Sequence, residues 1–103
     1  MGLGSVLFFA NISLAQASLN YSQGTASWKS ISNAQCYNIY YKESSAKKYQ
    51  HALRCLPSNM TAYTIKGLKL RVSYKYNVAA LDSSMTQFSW SGDHWLLNLR
   101  PQK

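Results

Sequence analysis

Between Thr64 and Asp82 the chain reads TIKGLKLRVSYKYNVAALD, and its second half alternates with a period of two. Tyr74, Tyr76, Val78 and Ala80 fall on one face of an extended backbone, with Lys75, Asn77 and Ala79 on the other. Successive side chains of a strand point to opposite faces, so the pattern requires a strand with one buried and one wet side. Aromatic and branched residues suit the buried positions of a pleated surface. Upstream, the chain is expected to turn at Gly67 before this strand runs out.

The spacing Ile65-x-Gly67-Leu68, followed by Tyr74-x-Tyr76-x-Val78-x-Ala80, resembles strands E and F of a fibronectin type III domain. The resemblance extends over residues 11–99 and implies an all-β fold, a seven-stranded antiparallel β-sandwich. It implies that Tyr74 sits where the chain crosses between sheets, its hydroxyl bonded back to the E–F backbone. Asn11–Tyr21 then supplies strand A, and Thr25-Ala-Ser-Trp28 supplies strand B with Trp28 in the core. Tyr37, Ile39 and Tyr41 point inward from strand C, and Tyr49–Cys55 pairs back as the next strand, its edge broken by Pro57. Tyr63 and Ile65 point inward from strand E, and Trp95, Leu97 and Leu99 from strand G. Where the family often carries a proline in the E–F loop, this chain has Leu70. The organisation expected is an apolar leading segment over 1–10, the domain over 11–100 and a short tail over 101–103.

A chain of 103 residues is enough for one such domain. Charged residues make up 14%, well below the roughly 25% usual for soluble domains, and uncharged polar side chains take their place. Two cysteines are present. If CYNIYYK and YQHALRC form a hairpin centred on Ser45-Ala46, Cys36 falls directly opposite Cys55, which allows a disulfide across an antiparallel pair. The alternative is a pair of reduced, half-buried thiols. A bridge favours an oxidising compartment, hence an extracellular, cell-surface or periplasmic location. Asn11-Ile-Ser, Asn20-Tyr-Ser and Asn59-Met-Thr add three glycosylation sequons. Val6–Ala10 with Ala15-Gln-Ala17 is similar to an export signal, but no Lys or Arg precedes the apolar run. The segment is too short and too polar to span a bilayer. Its other reading is an ordered leading strand that packs on this domain or on a neighbouring copy.

Constellations for catalysis are missing. The three acids are Glu43, Asp82 and Asp93, with Glu43 expected at the opposite end from the other two, which fall in or beside one loop. Paired carboxylates need a frame that fixes their separation, and a loop supplies none. His51 and His94 lack a nucleophile in any recognised setting. Asp93 beside His94 offers two metal ligands without a third. No catalytic residue, cofactor or metal is therefore expected.

Charge and loop composition say more. With 11 Lys and Arg the net charge is +8. On the type III map Lys47, Lys48, Lys66, Lys69 and Arg71 gather at one pole, a candidate polyanion site whose attraction is salt-sensitive; Lys29 and Arg100 lie elsewhere on that map. The alternative is a solvated basic face. At the opposite pole Met85, Phe88 and Trp90 form a candidate protein-binding loop, unless the hairpin is longer and these residues fold back on the sandwich. The resemblance implies a non-catalytic binding or adhesion module whose partner is a protein or an acidic glycan. The rival is a subunit of an extracellular filament built by N-terminal strand addition. Sequence-specific nucleic-acid recognition is not expected, since no known module is present.

Overall fold

Eight strands form in the part of the chain that the structure, a computed structural model, describes, namely residues 21–101. They are β1 (Tyr21–Ser27), β2 (Cys36–Glu43), β3 (His51–Pro57), β4 (Ala62–Lys69), β5 (Tyr74–Leu81), β6 (Gln87–Trp90), β7 (His94–Trp95) and β8 (Leu97–Pro101). No helix is present among the described residues. The fold is all-β and sandwich-like, with a three-stranded sheet in the order β4-β1-β8 and a five-stranded sheet in the order β3-β2-β5-β6, β7 also pairing with β5. Every pairing is antiparallel. Of the seven strands expected, the six that fall in the described residues become eight, because β6 forms where a loop was expected and the expected last strand is divided into β7, paired with β5, and β8, paired with β1. The expected leading segment, and the first strand expected over Asn11–Tyr21, lie outside the described residues except for Tyr21, which opens β1.

The core follows the alternation. Tyr37 and Ile39 of β2, Ile65 and Leu68 of β4, and Tyr74, Tyr76, Val78 and Ala80 of β5 form one buried cluster with Ala26 and Leu96. Trp28 packs against that cluster, its ring centroid 5.5 Å from Tyr37. The indole Nε1 is enclosed and meets no acceptor among the described residues. Tyrosine hydroxyls tie the layers together. The Lys69 N–H donates to the Tyr74 hydroxyl at 2.9 Å, the expected corner bond. Tyr76 donates to the Ser27 carbonyl at 2.8 Å and accepts from its N–H at 3.2 Å, linking the two sheets.

Bulges break the period of two, and three corrections to the sequence reading occur at them. Gly67 does not turn the chain: β4 continues to Lys69, with Gly67 at φ 74. Against β1 the register passes from Ser22↔Leu68 to Gly24↔Ile65, which leaves one extra residue on β4. A residue added to one strand shifts the side-chain parity beyond it, and Ile65 and Leu68, three apart, both face inward. Between Tyr37↔Leu56 and Ile39↔Leu53 an extra residue sits on β3, where Cys55 takes φ 53. Cys36 is therefore opposite Pro57, not Cys55, and Pro57 is the last residue of the edge strand β3, where the pairing ends as expected. The disulfide Cys36–Cys55 forms regardless, with Cα atoms 4.8 Å apart, because the bulge carries Cys55 alongside. Asn38, buried beneath, accepts the Cys55 N–H at 2.8 Å.

The third bulge corrects the last strand. From Gln23↔Arg100 to Thr25↔Leu97 the extra residue is on β8, where Asn98 takes φ 56. Trp95 and Leu97, expected inside, are 55% and 58% exposed, whereas Leu96 is 4% exposed. Leu99 is half-covered and lies with Leu96 over Gly24, where a methyl group would come within 2.9 Å of both. Gly24 is required here by the close approach of β8.

Candidate functional site

Two regions are built differently from the rest of the surface. The first is the β6–β7 edge. The Asp82 carboxylate accepts the Ser84 and Thr86 N–H groups at 2.9 and 3.0 Å, which shapes the turn into β6. Between β6 and β7 the chain leaves the ladder at Ser91–Asp93, with Gly92 at φ 82. Side chains replace the lost ladder bonds: Val78 N–H donates to Ser91 Oγ at 2.9 Å and Gly92 N–H to Asn77 Oδ1 at 3.2 Å. The edge is therefore held at its break.

Along it stand five of the seven large apolar residues that are exposed among those described: Met85, Phe88, Trp90, Trp95 and Leu97. Met85 is in the turn at φ 63, and Phe88 and Trp90 are on strand β6, so the hairpin is longer than a loop over 83–92. Phe88 and Trp90 remain about half exposed instead of folding into the core. On the inner side a cleft of about 810 Å³ runs between the sheets, walled by Trp28, Ile31, Tyr76, Ser89, His94 and Leu97.

On the outer side, cations and rings form a band across the five-stranded sheet. Arg54 lies 5.8 Å from the centre of the Tyr40 ring, and Tyr40 lies 5.7 Å from Trp90. Lys42 and Lys75 are directly opposite in the β2–β5 ladder, a repulsive placement. Each is drawn to its own aromatic face, Lys42 to Tyr49 at 5.1 Å and Lys75 to Trp95 at 4.7 Å. The Tyr49 hydroxyl donates to Asp93 Oδ1. Burial, then that hydrogen bond and the Asp93 charge, push the Tyr49 phenol well above its ordinary 10.0.

The acids and histidines are dispersed. Strand β6 separates Asp82 from Asp93, so they do not share a loop. Asp93 is held by Tyr49 and Asn77 on the outer side of the sheet, whereas His94 packs against the buried Tyr76 at 5.7 Å. His51 stacks on Tyr41 at 4.8 Å. No three His, Cys, Asp or Glu residues among those described come together as a metal site. No helix of the described residues is long and apolar enough to cross a membrane.

The second region is the basic end. Ser44 N–H bonds the Ser73 carbonyl at 2.8 Å, and Lys69 Nζ meets Glu43 Oε2 at 2.9 Å, so the β2–β3 and β4–β5 turns share one end. Lys47 and Lys48 lie in the first turn and Arg71 in the second, with Lys66 and Lys69 on β4, and all five side chains are exposed. The Glu43 hydrogen bond, then its charge, raise the Lys69 pKa. A second cleft, of about 490 Å³, opens here between the β4–β5 turn and β8, lined by Ser22, Arg71, Val72, Ser73, Leu99 and Arg100. Arg100 was expected elsewhere. It reaches this end only because β8 pairs with β1, for which the sequence carries no local signal. Compared with known proteins, the chain matches no family model, no curated sequence and no solved structure.

Proposed function

We propose that this chain is a non-catalytic, extracytoplasmic binding module of fibronectin type III type that engages a protein partner through its β6–β7 edge. Support for the type comes from the Tyr74 corner bond, from Trp28 against the core, and from a sheet order in which β2 and β5 are central neighbours. The departure is β8, which adds to β1 on the side away from β4. The Cys36–Cys55 disulfide supports an oxidising compartment.

One observation carries the binding reading: exposed Phe88, Trp90, Trp95 and Leu97 crowd one short stretch beside an apolar cleft. Aromatic side chains presented together on a held edge are what anchors a protein interface. The test is surface plasmon resonance against a panel of extracellular protein domains, with wild type beside Phe88→Ser/Trp95→Ser. A partner that binds wild type should lose affinity by about thirtyfold or more, the scale of two aromatic anchors. Thermal unfolding should be nearly unchanged, since both side chains are about half exposed and neither packs in the core cluster. Binding undiminished by the two substitutions, or a wild type that engages no domain of the panel, refutes this reading.

A further inference from the structure

The second cleft raises a question of charge balance. Arg71 and Arg100, from the β4–β5 turn and from β8, line the same groove. Both are exposed, and neither makes an ion pair among the described residues. The whole sequence contains only three acids. Glu43 is taken by Lys69, Asp82 by the turn amides at Ser84 and Thr86, and Asp93 by Tyr49 and Asn77. No acidic side chain of this sequence is left to face the groove.

The walls add shape to that charge. Val72 and Leu99 supply apolar sides, and Ser73 a hydroxyl, while the Ser22 hydroxyl is turned away to the Lys69 carbonyl. Guanidinium groups are planar forks that fit carboxylate and sulfate oxygens in pairs, which an ammonium cannot do. Beyond the groove, Lys47 and Lys48 are exposed in the β2–β3 turn at the same end, and Lys66 is exposed partway along β4. Cations spread over separate elements suit a ligand with repeated charges better than a single small anion.

We propose that this groove is an anion-binding site in which Arg71 and Arg100 clasp a sulfate or carboxylate group of an acidic polysaccharide, with Lys66, Lys47 and Lys48 attracting its neighbouring charges. The disulfide favours a compartment where such glycans, and not nucleic acids, are the abundant polyanions. The site is separate from the β6–β7 edge, and either reading can fail alone.

The experiment measures binding to heparin, a sulfated polysaccharide, across a salt series. Wild type is compared with Arg71→Ser/Arg100→Ser, with the charge-matched pair Lys29→Ser/Arg54→Ser, and with Arg71→Lys/Arg100→Lys. Neutralising each bound cation removes about one from the slope of log affinity against log salt. The Arg71/Arg100 serine pair should lose about tenfold or more in affinity at low salt, on the scale of charged hydrogen bonds. The Lys29/Arg54 pair should lose less than about twofold, by analogy with screened surface charges. The lysine pair should fall between wild type and the serine pair, keeping the charge but not the fork. Equal losses from the two serine pairs mean net charge alone and overturn the site. Full retention by the lysine pair overturns the clasp. Tighter binding, at matched salt, to single-stranded DNA or to phosphatidylserine vesicles than to heparin overturns the glycan assignment.

Discussion

Replacing Leu96 by alanine separates the observed packing of the last strand from the packing that simple alternation implies. Leu96 is 4% exposed, its backbone N–H bonds the Tyr74 carbonyl at 2.9 Å, and its side chain lies over Gly24 within the core cluster. Truncating a buried leucine costs about 2–5 kcal/mol, the transfer term plus the cavity left behind. The lower half of that range applies, about 2–3 kcal/mol, because β8 is an edge strand and Leu99 beside it is only half covered, so the site can partly collapse. For a domain of this size that shift lowers Tm by on the order of 10–20 °C. Leu97→Ala removes a side chain that is 58% exposed and should stay within about 0.5 kcal/mol of wild type. Urea unfolding followed by fluorescence of Trp28, Trp90 and Trp95 reads both midpoints. Gly24→Ala completes a cycle: its methyl would sit 2.8 Å from Leu96 Cγ and should cost about 1–3 kcal/mol by overpacking. Combined with Leu96→Ala it should cost less than the sum, because the shortened side chain makes room. A Leu97→Ala variant as damaging as Leu96→Ala, or strict additivity with Gly24→Ala, would refute this packing.

Other consequences are open to measurement. Reducing Cys36–Cys55, which closes a loop with a sequence separation of 19, should lower unfolding stability by about 3 kcal/mol in urea titrations with and without a phosphine reductant, and an unchanged midpoint would contradict it. Tyr49 is neutral in the fold to a pH above its ordinary 10.0, so its stabilising contribution is complete below about pH 10 and is lost as pH rises beyond it. In an ultraviolet titration of the eight tyrosines, Tyr49→Phe should remove a late-titrating phenol and flatten the alkaline decline in stability; a curve missing one phenol of ordinary pKa instead would show that Asp93 does not hold it.

The alternating stretch Tyr74–Val78 determined a half-buried strand by itself, because a strand's side-chain period is fixed by the backbone and needs no partner to be read. Beyond it Ala79, expected on the wet face, is buried, lying between Asn38 of β2 and Trp90 of β6. Tyr37 and Ile39 likewise face the core as their spacing requires. The two cysteines carried their pairing in their separation, and the disulfide formed although the register differed. Tertiary structure decided the rest through bulges. At Cys55, Gly67 and Asn98, residues with positive φ, one added residue turns a spacing of two into three. Leu53 with Leu56, Ile65 with Leu68, and Leu96 with Leu99 then share a face, a pattern that alternation alone misreads. For the candidate sites the division is similar. The sequence singled out Met85, Phe88 and Trp90 and the five basic residues at one end. Trp95 joined the exposed edge because β7 sets it opposite Lys75 of β5. Leu97 joined it, and Arg100 the basic groove, only because the chain then leaves β5 and pairs with β1, a choice made by contacts between segments more than 70 residues apart in sequence.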